Sequence, residues 1–158
     1  MTSAAFSNVK MLSVVAILFL AVGCASVTTA DSAANADARR FLPEPGKASV
    51  YLCRHAAGFG DTLVAQTQLD GLSIGALAPN TFLLISVTPG HHTLGVVGPS
   101  NSEQVSLDAD AGGVYFYDVS IVWAGPLIRH RHIQAMSEAD GRKAVDSETR
   151  AVANANSN

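Results

Sequence analysis

This 158-residue sequence has few of the residues that usually reveal an activity. It contains two cysteines, one tryptophan and 15% charged residues. Two cysteines are too few for a disulfide-rich scaffold. The sequence has no basic stripe and no basic residues interleaved with aromatics, so no nucleic-acid partner is expected. It also lacks a P-loop, a G-x-S-x-G elbow and an H-E-x-x-H zinc motif, and therefore predicts a non-enzymatic protein with no cofactor.

The apolar run near the N-terminus is too short to span a membrane. It covers residues 11–22, in which Ser13 is the only polar residue. About 12 apolar residues fall short of the roughly 20 that a membrane-spanning helix needs. Because Lys10 and the terminal amine precede it, the run matches the apolar region of a secretory signal. We therefore predict that residues 1–23 are a signal peptide and that the protein is exported.

A cysteine follows this run directly, in the stretch "ILFLAVGCAS" of residues 17–26. The pattern resembles the lipobox of bacterial lipoproteins, with Ala21 where Leu is usual three positions before the cysteine. The resemblance implies that the Cys24 thiol receives diacylglycerol, that the chain is cut before it, and that the new amine is acylated, for example with palmitate. Several acyl chains anchor a protein firmly. Ala25 replaces the Asp that favours inner-membrane retention, which implies the outer membrane, facing the periplasm.

Two other fates of Cys24 stay open. An ordinary signal peptidase also accepts small residues, which allows a cut near Ala25 or Ala30. An exported chain with two cysteines also allows a Cys24–Cys53 disulfide. If Cys24 is lipidated, Cys53 is left alone in a predicted strand, where a lone cysteine is usually a small buried hydrophobic residue.

The exported chain is predicted to be one domain with a tether and a tail. Removal of residues 1–23 leaves nine basic and thirteen acidic side chains, a net charge of −4, so no attraction to anionic lipid is expected. Residues 24–45 are rich in Ala, Ser, Thr, Asn and Asp and predict a lipidated cysteine followed by a flexible spacer. Residues 46–136 carry a strand pattern, and residues 137–158 predict a short helix and a disordered tail.

Short strands alternate with turn pairs through residues 46–136. Asp70-Gly71 predicts a tight hairpin, and Pro89-Gly90 predicts a turn between two further arms. The run "VYFYDVSIVW" is the most β-prone in the chain. The pattern gives seven or eight short strands with regular spacing and no long helical period. We therefore predict an all-β fold, an antiparallel β-sandwich.

The turns also carry a family resemblance. The order of motifs in "LDGLSIGALAPNTFLLISVTPGHHTL", "AGGVYFYDV" and "SEADGRKAV" resembles the bacterial lipoprotein family known as domain of unknown function 2846. It is also similar to the wider PEGA-like class of carbohydrate-envelope β-sandwiches. The resemblance covers roughly residues 46–140 and implies a fold and an envelope location. It implies no catalytic residue, because the matching motifs are turns and the family has no established activity.

Histidines are the residues that suggest a second function. His130 and His132 alternate in "RHRH" and would share one face of a strand. Together with His91 or His92 they would supply the imidazole ligands that zinc and copper accept. The simpler interpretation is a solvated strand, because His91 and His92 follow a turn and the arginines of "RHRH" would repel a cation.

Two further groups of side chains are candidates for binding. Asp108 and Asp110 lie on one predicted strand face and would bind calcium weakly, although acidic residues at a strand end are usually solubilising. Aromatic residues of the β-prone run would stack on sugars if exposed, although most residues of this kind belong to a core. The candidates are Tyr115, Phe116, Tyr117 and, best placed for an exposed contact, Trp123. We therefore expect a structural or interaction module for an envelope protein or a glycan, with periplasmic metal binding as the alternative.

Overall fold

The computed structural model of this chain describes residues 26–56, 62–99, 101–123 and 129–154, except for the side chain of Trp123. Within these ranges it has nine strands and two helices. The strands are β1 (Ala48–Arg54), β2 (Ala65–Leu69), β3 (Leu72–Leu77), β4 (Thr81–Val87), β5 (Gly90–Val97), β6 (Glu103–Ala109), β7 (Val114–Trp123), β8 (Arg129–Ala135) and β9 (Thr149–Arg150). The helices are α1 (Ser32–Ala38) and α2 (Glu138–Ser147). The predicted signal peptide and Cys24 lie outside the described residues.

The strands form two sheets, which confirms the predicted all-β sandwich with a short C-terminal helix. The larger sheet has the order β8-β7-β1-β4-β9, and the smaller sheet has the order β3-β2-β5-β6. Most neighbouring strands are antiparallel, but β1 pairs in parallel with β7, and β4 in parallel with β9. The parallel pairing of β1 and β7 arises because the chain leaves twice for the smaller sheet before it returns alongside β1.

The Asp70-Gly71 pair forms the predicted hairpin turn. It connects β2 to β3, which are antiparallel, and Leu69 lies opposite Leu72. Both turn residues have positive φ, 50° at Asp70 and 81° at Gly71. A two-residue turn with positive φ at both positions matches the right-handed twist of the flanking strands, and Asp-Gly is among the pairs best suited to it.

The Pro89-Gly90 pair lies at the predicted turn between two strands, but these strands belong to different sheets. β4 and β5, on either side of it, do not pair with each other, because β4 belongs to the larger sheet and β5 to the smaller. Gly90 has φ 135° and is already the first residue of β5. The pair therefore turns the chain from one sheet to the other, and the two strands that it joins do not form a hairpin.

The main core lies between the two sheets. Leu52, Ile85 and Val119 of the larger sheet pack with Ile74 and Leu94 of the smaller one, and all five are buried. Along a strand the core takes every second residue, as with Tyr117, Val119 and Ile121 of β7, because one face of each sheet turns inward. Their burial supplies the main favourable free energy of folding.

A second cluster covers the outer face of the larger sheet. The rings of Tyr51 and Phe116 stack with centroids 5.1 Å apart, and helix α2 lies over them with Ala144 and Val145 buried. A β-carbon on Gly141 of this helix would lie 2.1 Å from Cγ of Phe116. The helix can pack this closely on the sheet because Gly141 has no side chain.

The segment expected to be a flexible spacer is tied to the sandwich over residues 26–45. It contains α1, in which Ala38 is buried. Asn35 donates from Nδ2 to the Ala30 carbonyl (2.9 Å) and accepts at Oδ1 from the Arg150 backbone N–H (2.7 Å). The segment has little apolar surface to bury, but its polar side chains satisfy backbone groups, and composition alone does not show this.

Side chains from the smaller sheet cover the free edge of β8. Asn101 exchanges two hydrogen bonds with the backbone of Arg131, 2.8 Å to its N–H and 2.9 Å to its carbonyl. Glu103 accepts from the Ile133 backbone N–H at 3.3 Å. The two sheets are thus linked along this edge by side chains. In the part of the chain described, neither helix has the length and apolar character required to cross a bilayer.

Candidate functional site

Four of the five histidines form a close contact with one carboxylate each. His91 Nδ1 lies 2.8 Å from Asp108 and His92 Nδ1 lies 2.8 Å from Asp70. His132 Nδ1 lies 3.0 Å from Glu103. The fourth contact joins His55 to Glu148 at 2.6 Å. In all four contacts the Nδ1 atom of the histidine meets the carboxylate, so this nitrogen is occupied within the protein.

Of these four contacts, the His92–Asp70 pair has further hydrogen bonds from both partners to the backbone. His92 also directs Nε2 to the Thr88 carbonyl at 2.8 Å, and Asp70 also accepts from the Thr93 backbone N–H at 2.8 Å. The hydrogen bond to Asp70 raises the pKa of His92, and the same bond lowers the pKa of Asp70. The pair joins the hairpin turn to the start of β5, and both ring nitrogens of His92 are engaged.

The candidate metal ligands His91, His92, His130 and His132 do not converge on one point. The His132 partner Glu103 and the His91 partner Asp108 are five residues apart on β6, or about 16 Å at the spacing of a strand. His130 and His132 are neighbours, with ring centroids 6.4 Å apart. Among the residues that the structure describes, no three His, Cys, Asp or Glu side chains are placed to hold one metal ion.

The most unusual polar group is the buried Glu148 on the outer face of the larger sheet. Its side chain is 1% exposed, and it follows α2 directly. His55, 53% exposed, lies between this carboxylate and solvent. Their contact is 2.6 Å long, and both Glu148 oxygens are shielded from solvent.

Burial dominates the acid–base behaviour of this group. It raises the pKa of Glu148 to about 8, the Arg54 backbone N–H offsets part of the rise, and the nearby Asp118 carboxylate adds to it. Burial also raises the pKa of Asp118, against the opposing effects of His55 and a hydrogen bond from Gln134. With its pKa at about 8, Glu148 is the group in this region that exchanges a proton near neutral pH, and the pKa of Asp118 is shifted in the same direction.

Cys53 lies in the same region and is not a nucleophile. It is fully buried and pairs in register with Asp118. Burial raises the pKa of its thiol, and the Glu148 and Asp118 carboxylates raise it further. A protonated, buried thiol is chemically inert. In the structure Cys53 is a free, buried cysteine, as expected of a small hydrophobic residue in a strand.

The other candidate residues take structural roles where they are described. Asp108 holds His91, and the Asp110 backbone N–H donates to the Tyr115 hydroxyl at 2.9 Å. Phe116 and Tyr117 are buried, so they offer no stacking surface to a sugar. Trp123 ends β7, but its side chain lies outside the described residues, as does Cys24.

A small surface cavity of about 110 Å³ lies where β8 gives way to α2. Val114, Phe116, Met136 and Glu138 are among the residues that line it. Pockets that bury a drug-sized ligand are several times larger, about 300–1,000 Å³. This cavity has room for one side chain of a partner protein and not for a cofactor.

Sequence reasoning missed the groups that the fold buries. Glu148 lies in the polar stretch "DSETR", where nothing signals burial of a carboxyl group, and Asp118 lies in a β-prone run. Arg54, also buried, donates from Nη1 to the Leu63 and Leu77 carbonyls. The one available signal was the position of Arg54 and Asp118 within strongly apolar strands, where a charged residue needs a specific partner.

Comparisons with known proteins show that the chain is similar in sequence to an uncharacterized protein. No known protein family matches the sequence. The chain is 24% identical over 141 residues to an uncharacterized protein of Haemophilus influenzae, covering 89% of this chain and 83% of that protein. The similarity extends over most of both chains and is not confined to one motif.

Proposed function

We propose that this protein is a lipoprotein of the bacterial cell envelope, anchored through acylated Cys24 and serving as a non-enzymatic interaction module. Its partner is an envelope protein or a glycan, and its location is the outer membrane, facing the periplasm. The observation that carries the proposal is the cysteine placed directly after a short apolar run, in "ILFLAVGCAS". The burial of Cys53 as a free thiol in the sandwich supports the proposal, because it argues against a disulfide between the two cysteines.

Two features of the fold support a role in binding rather than in catalysis. Four histidines each contact one carboxylate, and burial keeps the proton on the Cys53 thiol. The cavity beside α2 suits a single side chain from a partner. A rigid sandwich with a small surface cavity is suited to contact a larger molecule.

The anchor is tested by the intact mass of the protein extracted from membranes. We expect a chain that starts at Cys24 and carries the added mass of the acyl groups. Cys24→Ser should remove that mass and release the protein from the membrane fraction. Cys53→Ser is the matched control and should leave both the added acyl mass and the membrane location unchanged. A water-soluble chain cut elsewhere and lighter by two hydrogens would show a Cys24–Cys53 disulfide and refute the proposal.

The partner is tested with the acylated protein after the anchor is established. Co-sedimentation with purified peptidoglycan tests a glycan, and crosslinking in cells followed by mass spectrometry tests an envelope protein. We expect one of the two to capture the protein, with no effect of a metal chelator. Capture that disappears with chelator would instead support the metal-binding alternative, and the variant His130→Gln/His132→Gln would then identify its ligands.

A further inference from the structure

Only a short length of chain separates Cys24 from the folded sandwich. Val27 packs against the main core, and the Val152 backbone N–H donates to the Thr28 carbonyl at 2.9 Å. The Ala30 backbone N–H donates to the Arg150 carbonyl at 2.8 Å. Three residue steps join Cys24 to Val27, and a fully extended chain covers at most about 10 Å in that distance. An acyl group on Cys24 would therefore hold the sandwich directly at the membrane surface.

The pairing of the two chain ends determines which side of the sandwich faces the anchor. Thr29 forms an antiparallel bridge with Ala151, and this register places Ser26 beside Asn154. Asn154 in turn bonds to β3, from its backbone N–H to the Ile74 carbonyl at 2.9 Å and from Nδ2 to the Ser73 carbonyl at 3.1 Å. The chain thus leaves the fold toward Cys24 along the edge where β3 and β9 lie.

The surface around this exit is neutral and partly apolar. We call it the tether face and define it as residues 26–28, 72–73 and 152–154, none of which is charged. Four large apolar side chains are exposed among the described residues, and two of them, Leu72 (68% exposed) and Val152 (49% exposed), belong to this face. An uncharged surface with exposed apolar groups is suited to the boundary between lipid headgroups and acyl chains.

We propose that the tether face lies against the lipid bilayer, with Leu72 and Val152 in contact with the interfacial region. This inference rests on the proposed acylation of Cys24. Two exposed side chains do not anchor a protein, so the acyl chains supply the affinity and the tether face sets the orientation. The opposite edge of the sandwich, where β6 and β8 meet, then points away from the membrane and toward partners.

Site-directed spin labelling of the acylated full-length protein tests this orientation. Ser73→Cys places a label on the tether face, and Ser102→Cys, also exposed, is the matched control. Ser102 directly precedes β6, three strand spacings or about 14 Å across the smaller sheet from β3. Cys53 is fully buried and should not react with the label.

The measurement compares collisions of each label with lipid-soluble oxygen and with a water-soluble nickel chelate. The protein is placed in vesicles of phosphatidylethanolamine and phosphatidylglycerol. We expect the ratio of oxygen to chelate collisions to be several-fold higher at position 73 than at position 102. A Gly/Ser linker of about 12 residues, inserted after Ala25 and giving roughly 20 Å of reach, should reduce the ratio at position 73 to that at position 102.

The outcomes separate this inference from the proposed function. Equal, chelate-accessible labels in a protein whose mass contains the acyl groups would refute the orientation and leave the anchor intact. A protein without acyl mass would refute the proposed anchor, and the inference with it. The variant Leu72→Ser/Val152→Ser should keep the acyl mass and membrane location but reduce the difference between the two labels.

Discussion

At the scale of single residues, the unusual feature of this protein is a carboxyl group that the fold keeps away from water. Glu148 is buried beneath His55, and its pKa is raised to about 8. The ordinary value in an unfolded chain is 4.5. Between these two pH values the folded protein holds a proton that the unfolded chain releases. The free energy of unfolding should therefore fall as the pH rises from about 4.5 to 8 and stay low above that.

We predict that Glu148→Gln flattens this pH dependence. Gln has the shape of the protonated acid but cannot ionise, so the variant should match the parent near pH 4.5 and exceed its free energy of unfolding by about 2–4 kcal/mol at pH 9. Urea denaturation at a series of pH values measures the slope. Glu138→Gln, at an exposed position on the same helix, is the control and should keep the slope of the parent. An unchanged slope in Glu148→Gln would contradict the burial of an ionisable group here.

The sequence predicts the burial of an apolar residue in a strand better than the burial of a carboxyl group. Cys53 was predicted from its strand context to be buried, and the structure agrees. The buried Glu148 and the half-buried Asp118 were not predicted, because their shielding depends on how the end of α2 packs over the larger sheet. Pattern reasoning identifies which face of one strand turns inward, and it cannot show which polar group a distant element will cover.

At the scale of elements, α2 illustrates how a residue that looks unfavourable can be required. Glycine in a helix interior costs about 1 kcal/mol relative to alanine, so helix propensity alone predicts that Gly141 weakens the helix. In the structure it is buried against Phe116, where a β-carbon would lie 2.1 Å from the ring. Ser137, whose hydroxyl accepts from the Asp140 backbone N–H at 3.2 Å, begins the helix as the sequence predicts.

We predict that Gly141→Ala destabilises the protein despite its better helix propensity. The added methyl group must push the helix away from Phe116, and overpacking of this kind costs about 1–3 kcal/mol, more than the propensity gains. Chemical denaturation measures the change. Lys143→Ala, an exposed position on α2, should differ little from the parent, and Phe116→Leu should restore part of the loss in Gly141→Ala. A stabilised Gly141→Ala variant would show that the helix is not held against the ring.

Turns were the elements that the sequence predicted best, but only where local chemistry decides the outcome. Asp70-Gly71 forms its hairpin because both residues accept positive φ. Pro89-Gly90 has equally clear turn residues, but it joins two sheets. The strand β4 pairs with β1, and β5 pairs with β2 and β6, and turn residues do not determine such pairings. The two-residue strand β9 and helix α1 were missed because neither has an apolar period.

At the scale of the whole molecule, three of the four edge strands described, β3, β8 and β9, have backbone groups occupied by the protein itself. The chain ends pair along β4 and β3 through Thr29, Ala151 and Asn154. On the other side, Asn101 and Glu103 occupy backbone groups of β8. An open edge strand is a template for pairing with another chain, so this covering favours a protein that does not associate through its edges.

We predict that Asn101→Ala/Glu103→Ala promotes self-association. The double change frees the backbone N–H groups of Arg131 and Ile133, which would then be available to a second molecule. Sedimentation velocity of the double variant in a soluble Cys24→Ser form should show a larger species whose fraction rises with concentration. The control Ser102→Ala, between the two altered positions, should sediment as the parent does.

The double variant with intact Cys24 would present its open edge away from the membrane if the tether face is oriented as proposed. Crosslinking between molecules on vesicles should then increase through β8 and not through β3. The position of the crosslinks would thus report both the opening of the β8 edge and the orientation of the protein on the membrane.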